Sequence, residues 1–329
     1  TFSLTTGKVI SNNQRILLDG NLISRAGTFT KGNATTKFGV SAAAVLIDTV
    51  ENDLGNIVID GSSKTITVLS GSVTTDNLTI GADDIFNPST FAVTVSGNYI
   101  NNGTYSGSVN ETTFDSSDNA SITTGDNSAF GGTAVTFNDG GGGAIFSIQD
   151  QFNATSTLTI TSGTFYANNQ DVLLSANLTI GASGAFAKGT ATTTFTAALP
   201  TYTDNAGGQD LGNIVIDGSP TRLVLASSVI TDNITIGSND TLQSDDNNVT
   251  ISGNYINNGT YTPGTNTTTF DSSERQLCTS GGSSFNNFVH SGTGTVVITD
   301  TTTIDEDATN SFGTIEVDGL TTLSGDLTN

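Results

Sequence analysis

Short runs in which apolar and polar residues alternate follow one another along the chain, separated by Gly, Asn, Asp and Ser. Asn56-Ile57-Val58-Ile59, Asn77-Leu78-Thr79-Ile80 and Asn98-Tyr99-Ile100 begin 21 and 21 residues apart. Asn213-Ile214-Val215-Ile216, Asn233-Ile234-Thr235-Ile236 and Asn254-Tyr255-Ile256 begin 20 and 21 apart. Alternation with a period of two is the mark of a strand with one buried face. No window places apolar residues at three- and four-residue spacing, and Gly or Asn-Gly interrupts too often for helices. If each turn of chain stacks on the last at about 4.8 Å, equivalent strands pair in parallel and their inward side chains form apolar columns. Ile57, Leu78 and Tyr99 then share one column, and Ile214, Ile234 and Tyr255 another. The expected fold class is all-β: a parallel β-helix (β-solenoid), right-handed, of about 20–21 residues per turn and roughly 15 to 16 turns. A pair of β-sandwiches gives no reason for so constant a beat, and a propeller needs units of roughly 40 residues per blade.

The pattern also repeats on a longer scale. Asp53 to Gly61 (DLGNIVIDG) returns as Asp210 to Gly218, Ser96 to Tyr105 (SGNYINNGTY) as Ser252 to Tyr261, and Thr112 to Ser117 (TTFDSS) as Thr268 to Ser273. Lys31-Gly32 is echoed by Lys188-Gly189. All lie 156 or 157 residues apart, so a duplicated unit of about 156 residues is expected, with unit 1 at 1–156 and unit 2, continuous with it, at 157–329. Lys31 to Glu51 and Lys188 to Gly208 break the beat. Each carries an Ala-rich stretch (Ser41-Ala42-Ala43-Ala44; Thr196-Ala197-Ala198), and each reads as a turn with an outward loop. Gly140 to Gly143 marks another loop.

Composition narrows the function. The 329 residues carry 31 Asp and Glu against 9 Lys and Arg, a net charge of -22, which repels phosphate backbones and argues against nucleic-acid binding. No run approaches the roughly 18 apolar residues of a membrane helix, so no membrane span is expected. The single cysteine, Cys278, has no partner for a disulfide or a Cys-based zinc site and reads as a structural thiol. The single histidine, His290, follows Phe288 and Val289 in a strand-like run and reads as packed. Thr1 opens in the middle of a strand-like pattern, as expected of a piece of a longer secreted protein.

The Asn-φ-x-φ beats, Ser-Gly-Asn-Tyr-Ile-Asn-Asn-Gly-Thr-Tyr and Thr-Thr-Phe-Asp resemble the repeats of large right-handed β-helix surface proteins of bacteria and archaea, including adhesins and autotransporter-like passengers. The likeness covers most of the chain. It implies secretion, a long rod and a role at the cell surface.

Right-handed β-helices also include polysaccharide lyases and hydrolases. Their sites use clustered carboxylates, often with Ca²⁺, an Arg or Lys base and a groove of aromatics. The acidic clusters here are Asp83-Asp84, Asp245-Asp246 and Asp305-Glu306-Asp307, and no Asp, Asp, Arg constellation recurs between copies. No catalytic residue and no cofactor are expected. Turns rich in Asp, Asn and Gly supply oxygen ligands, so Ca²⁺ is the metal they would suit, but neither an EF-hand loop nor a Gly-Gly-x-Gly-x-Asp repeat is present. Thr155-x-Thr157-x-Thr159-x-Thr161 raises ice binding, but no matching Thr-x-Thr recurs at every beat. Among the Asn-x-Ser/Thr sequons, Asn102, Asn258, Asn110 and Asn266 fall in expected turns, with Asn33 and Asn153 as further glycosylation candidates.

Charge is uneven. Residues 1 to 64 hold six basic residues and five acids, net +1, whereas residues 276 to 329 hold seven acids and no basic residue. Ends of a solenoid expose unpaired edges and open core unless capped or joined. The expected function is therefore a non-enzymatic, extracellular structural protein: a homo-oligomeric cell-surface filament assembling head to tail, with Arg15 and Arg25 facing Asp305, Glu306 and Asp307. The alternatives are a glycoprotein adhesin that binds glycans or cells without turnover, and a β-helix lyase or hydrolase that releases reducing or unsaturated ends.

Overall fold

The computed structural model describes residues 1–39, 43–107, 109–125, 129–141, 143–218 and 220–329. Every described element is a β-strand, most of three to six residues, and every registered strand pair is parallel. Partners lie one turn of chain apart. Ile85 pairs with Thr104, 19 residues on; Leu78 pairs with Tyr99, 21 on; Ala120 pairs with Phe146, 26 on. The fold is a parallel β-solenoid, and the chain divides into two compact units, Thr1–Tyr166 and Ala167–Asn329.

In the first unit each turn contributes three short strands. One face stacks Phe2–Leu4, Leu22–Ser24, Ala44–Asp48, Thr65–Ser70, Ile85–Asn87 and Thr104–Tyr105. A second runs through Val73–Thr75, Val93–Val95, Glu111–Ser116, Ala134–Asp139 and Thr157–Tyr166. A third runs from Ile16–Leu18 through Thr35–Phe38, Asn56–Ile59, Leu78–Ile80, Tyr99–Asn101 and Ala120–Thr123 to Ile145–Ile148. Ile57, Leu78 and Tyr99 fall in one column, as the beat requires. Thr157–Tyr166 belongs with this unit, pairing with both Ala134–Asp139 and Ile145–Ile148.

The second unit is built alike. Its longest face carries Val172–Leu174, Thr192–Phe195, Asn213–Ile216, Ile234–Ile236, Tyr255–Asn257, Arg275–Thr279, Thr295–Ile298 and Thr314–Val317. Ile214, Ile234 and Tyr255 are in register. A second face ends in Asn287–His290, Ala308–Asn310 and Leu327–Thr328, and a third in Ser284–Phe285, Thr302–Ile304 and Thr321–Leu323.

The two segments that break the beat are not loops throughout; in the second a bend over Ala197 to Leu199, exposed at Ala198 and Leu199, joins two strands. Thr35–Phe38 and Ala44–Asp48 are strands, as are Thr192–Phe195 and Thr201–Asp204. Thr36 and Phe38, like Thr193 and Phe195, alternate inward and are almost fully buried, and that burial holds the segments in the ladder. The extra residues lengthen the step instead: Leu22 to Leu46 and Leu178 to Tyr202 are each 24 residues. Ser41, Ala42 and Gly142 lie outside the described residues.

Side chains fill the interior in columns at strand spacing. Phe114 and Phe137 stack with centroids 4.9 Å apart, and Phe137 meets Phe165 edge-on at 5.1 Å. Phe270 and Phe288 stack at 5.0 Å in the second unit. Stacked rings one strand apart combine large apolar burial with favourable ring geometry.

Candidate functional site

The repeated strings do structural work that explains their spelling. Asp53 Oδ1 accepts the Gly55 N–H at 2.9 Å, and its other oxygen pairs with Lys31, which also bridges to Asp76 one turn further on. Lys188, Asp210 and Asp232 repeat this clamp. For Lys31 and Lys188 burial lowers the pKa, but the hydrogen bonds and charges of the two carboxylates outweigh it and hold both ammonium groups above their usual value. Gly55 has φ +70°, and a Cβ there would lie 2.5 Å from the Ala34 carbonyl oxygen.

The second string builds an internal polar cluster. The Tyr105 hydroxyl lies 2.7 Å from Thr112 Oγ1 and accepts from Asn110 Nδ2 at 2.7 Å. Tyr261 stands 3.0 Å from Thr268 Oγ1 and accepts from Asn266 Nδ2 at 2.6 Å. Two of the sequon asparagines are thereby held in the interior. Asn110 and Asn266 are each 1% exposed, and the amide nitrogen that would carry a glycan is held inside. Asn33, Asn102 and Asn258 are exposed, and Asn153 is half-buried. Tyr105 and Tyr261 are core residues. Burial pushes the Tyr105 phenol up to about 12, and it also raises Tyr99, Tyr202, Tyr255 and Tyr261.

The carboxylates are largely spent on turns. Asp84 accepts the N–H groups of Gly61 and Lys64 at 3.0 and 2.7 Å. Asp150 takes those of Thr124 and Gly125 at 2.8 and 2.6 Å, and Asp300 those of Ser280 and Gly281 at 2.9 and 2.7 Å. Asp204 caps Ala206, Gly207 and Gln209, each at 3.0 Å. Asp246, beside Asp245, accepts from the Thr265 backbone and hydroxyl, and these bonds hold its carboxyl below the usual range. Among the described residues no three His, Cys, Asp or Glu side chains gather to hold a metal. Cys278 is fully buried, and desolvation pushes its thiol up. His290 is buried with Nδ1 2.9 Å from Asn310 Oδ1.

The most open arrangement is the final turn. Val296, Ile298 and Ile304 are almost fully buried, yet their partners one turn on, Ile315, Val317 and Leu323, line an apolar cavity of about 270 Å³ together with Leu327. Val317 is 48% exposed and Leu327 68%. Thr314–Val317, Thr321–Leu323 and Leu327–Thr328 each pair with a strand on one side only among the described strands. The first turn mirrors this: Phe2–Leu4, Lys8–Ile10 and Ile16–Leu18 also pair on one side, and Ile10 is 60% exposed.

Arg15 is exposed on the first turn, and Arg25 is exposed where its N–H donates to the Leu4 carbonyl. Asp305, Glu306 and Asp307 are exposed in the turn between Thr302–Ile304 and Ala308–Asn310, one turn in from the end. Asp307 accepts the Asp326 N–H at 2.9 Å. The clamp and the Tyr-Asn-Thr cluster escape a reading of the sequence, although Lys31, Asp53 and Asp76 recurring as Lys188, Asp210 and Asp232 was a signal for the first.

No protein-family model, curated protein or solved structure matches the chain.

Proposed function

We propose that the chain is a non-enzymatic structural protein, a segment of an extracellular cell-surface filament in which the last β-solenoid turn of one copy stacks on the first turn of the next. The observation that supports this reading is the stacking itself: the last turn carries three strands and the apolar residues Ile315, Val317 and Leu323 in the columns of the turns before it, ready to be continued by a turn of the same chain or of a second copy. A further turn of the same architecture extends both the strand ladders and the columns, through backbone hydrogen bonds at the edge and apolar packing inside.

Charge favours a second copy as the occupant. Residues 1 to 25 hold Lys8, Arg15 and Arg25 against Asp19, whereas residues 301 to 329 hold six acids and no basic residue. Unlike ends attract and like ends repel, which selects head-to-tail contacts over head-to-head ones. The use of carboxylates as turn caps supports a structural rather than a catalytic role. Surface location rests on the resemblance to β-helix surface proteins.

Sedimentation velocity tests the reading. The wild-type chain is expected to form end-to-end species that grow with concentration. Leu320→Lys with Leu327→Lys, at positions 69% and 68% exposed, should leave circular dichroism unchanged and hold the chain as a monomer. Association undiminished in that double variant would remove the end face from the account.

A further inference from the structure

In the first unit a polar groove of about 550 Å³ crosses successive turns. Asn56, Asn77, Asn98 and Asn119, each 21 residues after the last, line it with Ser96 and Asp118. Asn56, Asn77 and Asn98 stand in register, Ser121 rather than Asn119 takes the next place in that column, and the side-chain oxygens are used on the structure. Asn77 Nδ2 donates to Asn56 Oδ1, Asn77 Oδ1 accepts the Asn98 N–H at 2.7 Å, Asn98 Oδ1 accepts Ser121 N–H at 2.8 Å, and Asn119 Oδ1 accepts Ile145 N–H at 3.0 Å.

The nitrogens are used differently along it. Asn98 and Asn119 are exposed, and among the described residues their Nδ2 groups have no protein partner; the same holds for the Ser96 hydroxyl and the Asp118 carboxylate. Gly97 keeps the floor open, since a Cβ there would lie 2.7 Å from Asn77 Oδ1.

We infer that this groove binds a neutral saccharide. It offers two free amide donors, on Asn98 and Asn119, beside the unpaired Asp118 carboxylate, the Lys31-paired Asp76 and the Ser96 hydroxyl, and sugar hydroxyls both donate and accept. Its volume falls in the range of ligand sites. The net charge of -22 disfavours an anionic glycan. A divalent cation finds one free carboxylate where it needs several oxygen ligands. An extended peptide finds no bare edge, because the strands on either side, Leu78–Ile80 and Tyr99–Asn101, are already paired to both neighbours.

The second unit supplies an internal comparison. Asn213, Asp232, Asn233, Ser252, Gly253, Asn254 and Ser272 stand at the matching positions, but Glu274 and Arg275 replace Asp118 and Asn119. Ser252 is also tied to Asp232 at 3.1 Å. Binding therefore belongs to the first unit.

The test is saturation-transfer NMR and calorimetry on the full chain with maltotriose, cellotriose, chitotriose and mannotriose, and with trigalacturonate as the anionic probe. At least one neutral trisaccharide should bind with Kd of about 0.1–5 mM, the range of a small contact without aromatic stacking. Asp118→Ala and Ser96→Ala, at exposed positions, should each weaken it at least about fivefold, and Asn98→Ala should do the same. Asn254→Ala in the second unit should leave it unchanged. Absence of binding by every neutral probe at about 10 mM, binding of trigalacturonate alone, or affinity untouched by Asp118→Ala and Ser96→Ala each overturns the assignment.

Discussion

Asn110 Nδ2 donates to the Tyr105 hydroxyl at 2.7 Å, five residues back along the chain, with both side chains inside the solenoid. Asn266 and Tyr261 repeat the bond at 2.6 Å, also five residues apart. A sugar on either asparagine would have to displace the tyrosine. In protein secreted from a host with N-glycosylation, glycopeptide mass spectrometry should find Asn33, Asn102 and Asn258 occupied and Asn110 and Asn266 bare. Glycan on Asn110 or Asn266 of correctly folded protein would contradict the buried placement.

The same bond predicts a stability cost. Tyr105→Phe keeps the ring but takes a partner from Asn110 Nδ2 and Thr112 Oγ1 in a site sealed from water. Leaving a buried donor poorly satisfied costs about 1–3 kcal/mol. Tyr261→Phe should cost a similar amount in the second unit. Denaturant melts of the two variants measure this directly, and a change under a few tenths of a kcal/mol would mean that water replaces the hydroxyl.

Gly55→Ala and Gly212→Ala probe the turn of the DLGN string. Both glycines have positive φ, +70° and +72°, and a Cβ would lie 2.5 and 2.9 Å from the carbonyl oxygens of Ala34 and Ala191. Strain of about 1 kcal/mol from φ adds to that collision. Each variant should melt earlier than wild type, Gly55→Ala by more. Gly7→Ala, with positive φ but open space around it, is the control for strain alone.

Alkaline pH should unfold the protein through its tyrosines. Five of the six are buried, and burial raises the phenol of each above its ordinary value of 10.0. A raised folded value means that the native state keeps protons the unfolded chain has lost. Stability is then full below pH 10.0 and falls as pH rises toward the folded values, by about 1.4 kcal/mol per pH unit for each tyrosine. Phenolate absorbance of these five should appear together with loss of the strand signal in circular dichroism. Their ionisation in a chain that keeps its strand signal would contradict the burial.

The columns were legible because period two and a beat of 20 to 21 residues both survive in the sequence, and Ile57, Leu78 and Tyr99 stand where the alternation puts them. In Lys31–Glu51 and Lys188–Gly208 the strands were not legible, because the added length and the Ala-rich stretches hide the alternation of Thr36 and Phe38 and of Thr193 and Phe195. The burial of two sequon asparagines was not legible. Asn110 and Asn266 carry turn-like side chains, and only the Tyr partner five residues away, invisible to an alternation pattern, draws them inside.

Electron microscopy of the purified chain at rising concentration tests end stacking most directly. The account predicts fibres one solenoid wide, with copies joined last turn to first, that vanish in the Leu320→Lys, Leu327→Lys double variant. Particles no longer than a single chain at every concentration, with the strand signal intact, would contradict it.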